Sequence, residues 1–471
     1  MFKNLYYSSI ITILIWARHI LVNNQPHNVF YMSQTFENYI LNIANFCLTF
    51  LVISFSFFLL SKFYPKHYNK IIYSIFYISL LPLFDFIFIS VFSKDTISSW
   101  ETGRHIYALT TIAYIPVIIL ISIKFQIEKY GDKIITPFCF ICLFILYNAM
   151  PQSFGVKIIE NEILSQDKSS TPIHLIVFDA MSYDVLNDPD IKHLFPNFNK
   201  FLAEESYVFE NAHSPGAYTI ASMPKLLTGI QYEDRLREEN YRLLIAQSDD
   251  QEYQDIPADS SIFNHTLSYG YNNILLGWSI PYCNIFGEYL TYGRVFPHYS
   301  RLSQLWPYPF YILLYSSSLQ QRDNTINMFN AYLSKIDSSP QNTFFFTHFP
   351  IPHTPYVFDS QGFINQYWKV IIKGGQINTK ENYVKQMMFV DKIMGEIINK
   401  LKEKKLYDSS LIVITSDENG LWGKERKVPL LIKTPFQNSQ HNIKTKAHTI
   451  NIKKMLLNFL NTNVVDINDL L

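Results

Sequence analysis

The sequence predicts an N-terminal bundle of five transmembrane helices followed by an α/β domain built on a mostly parallel sheet flanked by helices. Three observations carry that expectation. Charged residues make up 17 % of the 471 residues, against about 25 % in an ordinary soluble domain, and the deficit sits in residues 1–150. Five apolar runs follow one another there, each near the ~20 residues that cross a bilayer as a helix. Beyond residue 172, short β-branched runs that stop at acidic or histidine residues alternate with stretches of helical periodicity.

Composition excludes other classes. With 39 Lys+Arg against 39 Asp+Glu the net charge is zero, and no long basic run marks a nucleic-acid binder. A chain that is 48 % hydrophobic and 16 % aromatic is not disordered. Four cysteines cannot frame a disulfide scaffold. Cys47, Cys139 and Cys142 lie in apolar runs, which leaves Cys283 alone in the remainder.

The predicted spans cover residues 5–22, 39–63, 71–92, 106–123 and 134–149. The first is not read as a cleaved signal, because it carries Arg18 and His19 and lacks a small-residue cleavage site. Lys62, Lys66 and Lys70 precede the third span, and Lys124, Lys129 and Lys133 precede the fifth. The intervening loop 23–38 has no Lys or Arg, and the next on that side has only Lys94 and Arg104. The positive-inside rule then puts the N-terminus in the cytoplasm and everything after residue 150 outside. Asp85, inside the third span, costs at least ~2.5 kcal/mol in lipid and should face protein or water.

Residues 151–171 read as a connector, in which 156–164 (VKIIENEIL) suits a short amphipathic interfacial helix. Residues 172–471 are enough for one large domain. Strands are expected at 174–178 (HLIVF), 343–346 (TFFF), 411–414 (LIVI) and 428–432 (VPLLI), and helices at 196–204 and 383–404. Ligands in parallel sheets collect beyond the carboxyl ends of strands. Asp179, His348 and the Asp417-Glu418 pair all fall at such ends.

Carboxylates converging there suit a divalent cation, and all-oxygen ligation favours Mg²⁺, Mn²⁺ or Ca²⁺ over Zn²⁺. Thr219 opens a predicted helix that ends at Gly229. A helix N-terminus accommodates a phosphate, and a metal alongside would turn the hydroxyl into a nucleophile; an ordinary N-cap fits the local pattern equally. His353 lies between prolines in THFPIPHTPY, where it would hold a phosphoryl oxygen or protonate a leaving group. His348 and His448 are candidates for substrate contact or a second metal.

FDAMSYDVL, FPNFNKFLAEESYVFENAHSPG, TIASMPKLLTG, HFPIPHTPY, YVKQMMFVDKIMGEIINKLKEKKLYDSSLIVITSDENG and VPLLIKTP occur in that order across residues 172–460. Together they resemble the sulfatase-like branch of the alkaline phosphatase superfamily. The five preceding spans make the chain similar to membrane phosphoethanolamine transferases and lipoteichoic acid synthases. The resemblance implies an alkaline phosphatase/sulfatase-like catalytic domain with Asp179 as first metal ligand. Thr219 would be a ligand and the nucleophile that forms a phosphothreonine, His353 the substrate-binding histidine, and Asp417 the first of a metal pair. True sulfatases carry a Cys or Ser followed by Pro and Arg, which Thr219-Ile220-Ala221-Ser222-Met223 lacks. Glu418 departs from the His or Asn found at that place, and as a hard ligand it favours Mn²⁺ or Mg²⁺, with Ca²⁺ and Zn²⁺ as alternatives.

What the resemblance implies is a metal-dependent phosphotransferase, integral to a bacterial cytoplasmic membrane with its catalytic domain outside, acting as a monomer. A phospholipid headgroup, phosphoethanolamine or phosphoglycerol, would pass through phosphothreonine to an outer-face glycan or glycolipid, with no nucleic-acid partner. The contacts that choose headgroup and acceptor would come from loops such as 231–297, and residues 306–315 (WPYPFYILLY) suit the membrane interface. A hydrolase of the same fold, a phosphodiesterase or sulfatase, is the alternative, as is a binding domain with a degenerate metal site.

Overall fold

The computed structural model describes residues 2–23, 36–80, 140–143, 145, 158–164, 171–232, 236–239, 242–246, 252–296, 317–354, 356, 358–363, 378–422 and 427–471. These fall into two compact units, one up to Phe154 and one from Gly155.

In the first unit α1 (Phe2–Asn23), α2 (Phe36–Phe63) and α3 (Tyr68–Ser79) hold the first two predicted spans and the start of the third. Leu14 and Trp16 of α1, Phe57 of α2 and Phe76 of α3 are buried in one apolar cluster, while Leu51, Phe55 and Phe58 stay exposed on α2. Within α2, Phe46–Phe63 is the one stretch among the described residues that is long and apolar enough to cross a membrane. The rest of the third span, with Asp85, the whole fourth span, most of the fifth and residues 306–315 lie outside the described residues.

The second unit opens with β1 (Ile159–Glu160), β2 (Ile173–Phe178), α4 (Tyr183–Leu186), α5 (Pro196–Glu204), β3 (Tyr207–Phe209), β4 (Ala212–His213) and α6 (Thr219–Thr228). Next come β5 (Leu236–Glu239), β6 (Arg242–Ile245), β7 (Gln254–Asp255), α7 (Ile262–Ser268), β8 (Asn272–Trp278), α8 (Tyr282–Phe286) and β9 (Tyr292–Phe296). The chain continues through α9 (Ser317–Ser338), β10 (Thr343–Phe349), α10 (Lys380–Glu403), β11 (Leu411–Thr415), β12 (Leu430–Lys433), β13 (His441–Ile443), β14 (Ala447–His448) and α11 (Ile452–Thr462).

Nine strands form the main sheet in the order β1-β9-β8-β10-β2-β11-β12-β3-β13. From β9 to β11 the neighbours are parallel, whereas β12 runs against β11 and β1 against β9. Every residue of β2, β8, β10 and β11 is buried, as continuous apolar runs covered on both faces should be. Register aligns the strand ends. Phe349 of β10 pairs with Phe178, and Thr415 of β11 with Val177. Asp179 and Asp417 therefore leave the carboxyl edge side by side, with His348 on the third strand.

Helix α10 locks this edge. Tyr383 donates to Ala180 O (2.9 Å) and accepts from Ser182 N (2.8 Å), pinning the turn after β2. Two helical turns on, Asp391 caps α5 by accepting from Phe198 N (2.7 Å) and Asn197 N (3.2 Å). Gly420 (φ 61°) is required in the turn after β11, because a Cβ there would stand 2.7 Å from Ala180 O.

Two expectations fail here. Residues 159–160 form a strand, not part of an interfacial helix, because their main chain pairs with Tyr292 and Gly293 of β9 and Asn161 N continues the contact to Thr291 O (2.8 Å). The stretch 231–297 is not simply loop, since it contributes β8 and β9 to the parallel core.

Candidate functional site

The carboxyl edge brings together five of the residues singled out from sequence. Asp179, His348 and Asp417 form one group whose candidate ligand atoms lie within 4.8 Å of one another; Asp179, His353 and Glu418 form a second. His348 Nε2 stands 3.7 Å from Asp417 Oδ2 and 4.0 Å from Asp179 Oδ2, all three side chains being fully buried.

Both Asp179 oxygens, Asp417 Oδ2 and His348 Nε2 are buried with no hydrogen-bond partner. Orphaned groups of this kind cost free energy, and carboxylates this close repel one another. Burial, and then the charges of Asp417 and Glu418, push Asp179 well above the usual carboxylate range. Burial and the Asp417 charge carry Glu418 up to about 8. Burial works against ionising Asp417 too, but His348, the Thr219 hydroxyl and the Ala180 N–H together hold it below its ordinary value. Its Oδ1 accepts from Glu418 N (2.9 Å) and Ala180 N (3.1 Å), leaving Oδ2 for a cation.

A divalent cation fits this donor set, since it would satisfy the orphaned atoms and the clustered charge at once. The set is mixed, however, rather than all oxygen as read from sequence, because the fold places His348 and His353 among the carboxylates. Imidazole suits Zn²⁺, whereas the carboxylates suit Mg²⁺, Ca²⁺ and Mn²⁺.

Thr219 is the first residue of α6, after Tyr218 in extended backbone (φ −154°), and the helix closes at Gly229 in the left-handed region (φ 68°). Gly216 lies so close to the first turn that a Cβ would stand 2.6 Å from Ser222 N, so the chain can fold tightly over the helix start only with glycine there. The Thr219 hydroxyl stands near enough to Asp179 and Asp417 to lower the pKa of each, without a hydrogen bond to either Asp179 oxygen.

His353 sits in the turn after β10. Its Nδ1–H donates to Thr354 O (2.7 Å), so in the neutral ring the lone pair is on Nε2. Burial lowers its pKa, against the pull of Thr354 O and Asp417. The ring is thus set to bind or to accept a proton before it can give one. Two glutamines hold the turn: Gln321 Nε2 donates to His353 O (3.0 Å) and Pro350 O (3.2 Å), and Gln386 Nε2 donates to His353 O (2.9 Å). Trp278 walls the space, its ring 5.6 Å from that of His353 and 6.1 Å from that of His348.

His448 belongs to neither metal-type group. It lies on β14 with its ring 5.9 Å from that of His213, where burial and Lys446 lower its pKa. Sequence reasoning missed Trp278, Tyr282, Gln321 and Gln386. No pattern marked the glutamines, since Gln321 lies where no element was predicted and Gln386 falls between the apolar positions of the predicted helix 383–404; Trp278 and Tyr282 fell in a stretch read as loop, and Gly277 beside them was the one available signal of a close approach.

Among curated proteins none matches the chain. Similar solved structures include Ps i-CgsB, 16 % identical over 65 % of this chain and 74 % of that one with a TM-score of 0.44. The phosphonate monoester hydrolase of Agrobacterium radiobacter is 16 % identical over 62 % of this chain and 74 % of that one, with a TM-score of 0.41. A protein in the alkaline phosphatase superfamily from Vibrio parahaemolyticus is 14 % identical over 65 % and 69 %, with a TM-score of 0.42. The sulfatase family model matches residues 173–461, well over half of the sequence, and the chain belongs to the sulfatase family.

Proposed function

We propose that the protein is a membrane-anchored phosphotransferase that moves a phospholipid headgroup, phosphoethanolamine or phosphoglycerol, to a hydroxyl on an outer-face glycan or glycolipid. The observation that carries this reading is the Thr219 hydroxyl placed against Asp179 and Asp417 at the start of α6.

Asp179, Asp417, Glu418 and the imidazole of His348 would hold the cation, with Thr219 as a further ligand. When bound, a divalent cation supplies Lewis acidity that lowers the pKa of a coordinated hydroxyl and neutralises phosphoryl charge. Thr219 Oγ then attacks the phosphorus of the lipid; an O–P bond forms and the bond to the diacylglycerol oxygen breaks. The proton of the Thr219 hydroxyl would pass to His353 Nε2, and from there to the departing diacylglycerol oxygen. In the second half the acceptor hydroxyl attacks the phosphothreonine, loses its proton and restores Thr219. A lipid donor accounts for an apolar N-terminal third with five predicted spans, ahead of a domain facing outward. The enzyme would work as a monomer, with Mn²⁺ favoured.

The test is intact mass spectrometry of the full-length protein after incubation with mixed phospholipids and Mn²⁺. The expected result is an adduct whose mass matches one headgroup and which is absent from Thr219→Ala. Adduct formation followed by release of the headgroup to water, with no glycan able to capture it, would make the protein a hydrolase of the same fold.

A further inference from the structure

Tyr282 lies outside every motif that carries the family resemblance, yet it touches the site. After β8 the chain turns back sharply. Ile280 N donates to Trp278 O and Tyr282 N to Ile280 O, both at 2.8 Å, and Ser279 takes a positive φ of 69°. This folds the Tyr282 ring down over Gly277, where a Cβ would stand 2.3 Å from Tyr282 Cδ2. The ring meets Phe346 and His348 edge-on, with centroids 5.5 and 6.1 Å away. Its hydroxyl lies 2.9 Å from His348 Nδ1, and both side chains are fully buried. The other ring nitrogen, Nε2, points at Asp417 Oδ2 and Asp179 Oδ2 from 3.7 and 4.0 Å. Those separations are too long for hydrogen bonds. They match two ligands on one cation, which stand roughly 3–4 Å apart when each metal–ligand bond is about 2.1 Å.

We infer that Tyr282 is a positioning residue for a metal-binding His348: its oxygen accepts the Nδ1–H, and this leaves a bare Nε2 lone pair directed at the cation between Asp179 and Asp417. A phenol oxygen can accept as well as donate, so it supports the tautomer that a cation requires. The inference rests on the proposed cation site and extends it to a residue that contacts neither substrate nor metal. Gly277 belongs to the same device, since no other residue leaves room for the phenol ring.

The full-length protein in detergent is titrated with Mn²⁺ by calorimetry as wild type, Tyr282→Phe, Gly277→Ala and Asp417→Asn, and the visible absorption of each Co²⁺-loaded form is recorded. Tyr282→Phe keeps the ring and its packing. It is expected to weaken Mn²⁺ binding by roughly 10–100-fold, the usual cost of losing a partner behind a metal-bound histidine. The Co²⁺ bands should shift, while the metal-free melting temperature falls only by the few degrees that one lost buried hydrogen bond costs. Gly277→Ala retains the hydroxyl but displaces it, and should weaken binding in the same direction. Wild-type affinity and an unshifted Co²⁺ spectrum in folded Tyr282→Phe, with binding lost in Asp417→Asn, would overturn the role of Tyr282 alone. Wild-type affinity in Asp417→Asn would overturn the cation reading itself.

Discussion

Asp417 and His348 face one another from the strands on either side of β2, with Oδ2 and Nε2 3.7 Å apart and neither atom hydrogen-bonded. The pair stores an unmet need in the metal-free fold. Asp179 and Glu418 are held neutral there, whereas Asp417 is the carboxylate that the fold keeps ionised, so Asp417→Asn should lower the metal-free melting temperature by a few degrees. The same change should abolish the rise in melting temperature that Mn²⁺ gives the wild type. A ligand at a hundred times its Kd contributes about 2.7 kcal/mol, or a few degrees for a domain of this size. Differential scanning fluorimetry with and without Mn²⁺ reads both.

Glu418 gives Mn²⁺ affinity a pH dependence. Its carboxyl is protonated below about 8 in the metal-free fold, and a proton there competes with the cation. Affinity should rise with pH up to about 8, by close to tenfold per unit for each proton displaced, and then flatten. Glu418→Gln should bind more weakly above pH 8 and lose most of the slope that its proton contributes. Calorimetric titrations between pH 6 and 9 in buffers of different ionisation enthalpy would count the protons released; equal slopes in wild type and variant would remove Glu418 from the site.

The glutamines behind His353 act on geometry. Gln386→Ala removes one of two side chains fixing the His353 carbonyl, so the imidazole should lose its fixed angle while the metal ligands from β2 and β11 stay in place. Turnover is expected to fall about tenfold, in line with the sensitivity of reacting geometry to small displacements. Mn²⁺ affinity should fall less. A loss confined to Mn²⁺ affinity would assign His353 to the metal rather than to the substrate.

What could be read in the sequence was whatever a local pattern enforces. HLIVF, TFFF and LIVIT are apolar runs that only a buried strand accommodates, and the groups just beyond them had to emerge at one edge. Strand β8 was hidden because it begins Asn272-Asn273, residues that ordinarily avoid strands. They are tolerated here because the fold supplies partners: Asn273 Nδ2 donates to Phe263 O and Tyr289 O, both at 2.7 Å, and Asn272 Oδ1 accepts from Leu164 N at 2.8 Å. Those partners are distant or irregular backbone, which no window of sequence displays. The mixed donor set escaped for a related reason. His348 joins the carboxylates only because β10 lies beside β2, and strand order is a property of the sheet, not of any strand.

His174 should make the domain acid-sensitive from about pH 6.5 downward, above the range in which ordinary carboxylates titrate. It lies inside β2, stacked on Phe345 at 4.6 Å and joined through Nδ1 to Tyr332 OH at 2.8 Å, and burial carries its pKa down to about 3. In the unfolded chain the ring takes a proton near 6.5; in the folded chain it does not until about 3. Between those values the unfolded state binds the extra proton, so stability falls as pH drops, by about 1.4 kcal/mol per unit once the pH is well below 6.5. The loss at pH 4.5 is on the order of 2–3 kcal/mol. His174→Phe gives up the Tyr332 hydrogen bond and should be less stable at pH 7.5, but its stability between pH 6.5 and 4.5 should decline less steeply. Urea unfolding monitored at several pH values separates the two effects, and parallel pH profiles for wild type and variant would show that the acid sensitivity originates elsewhere.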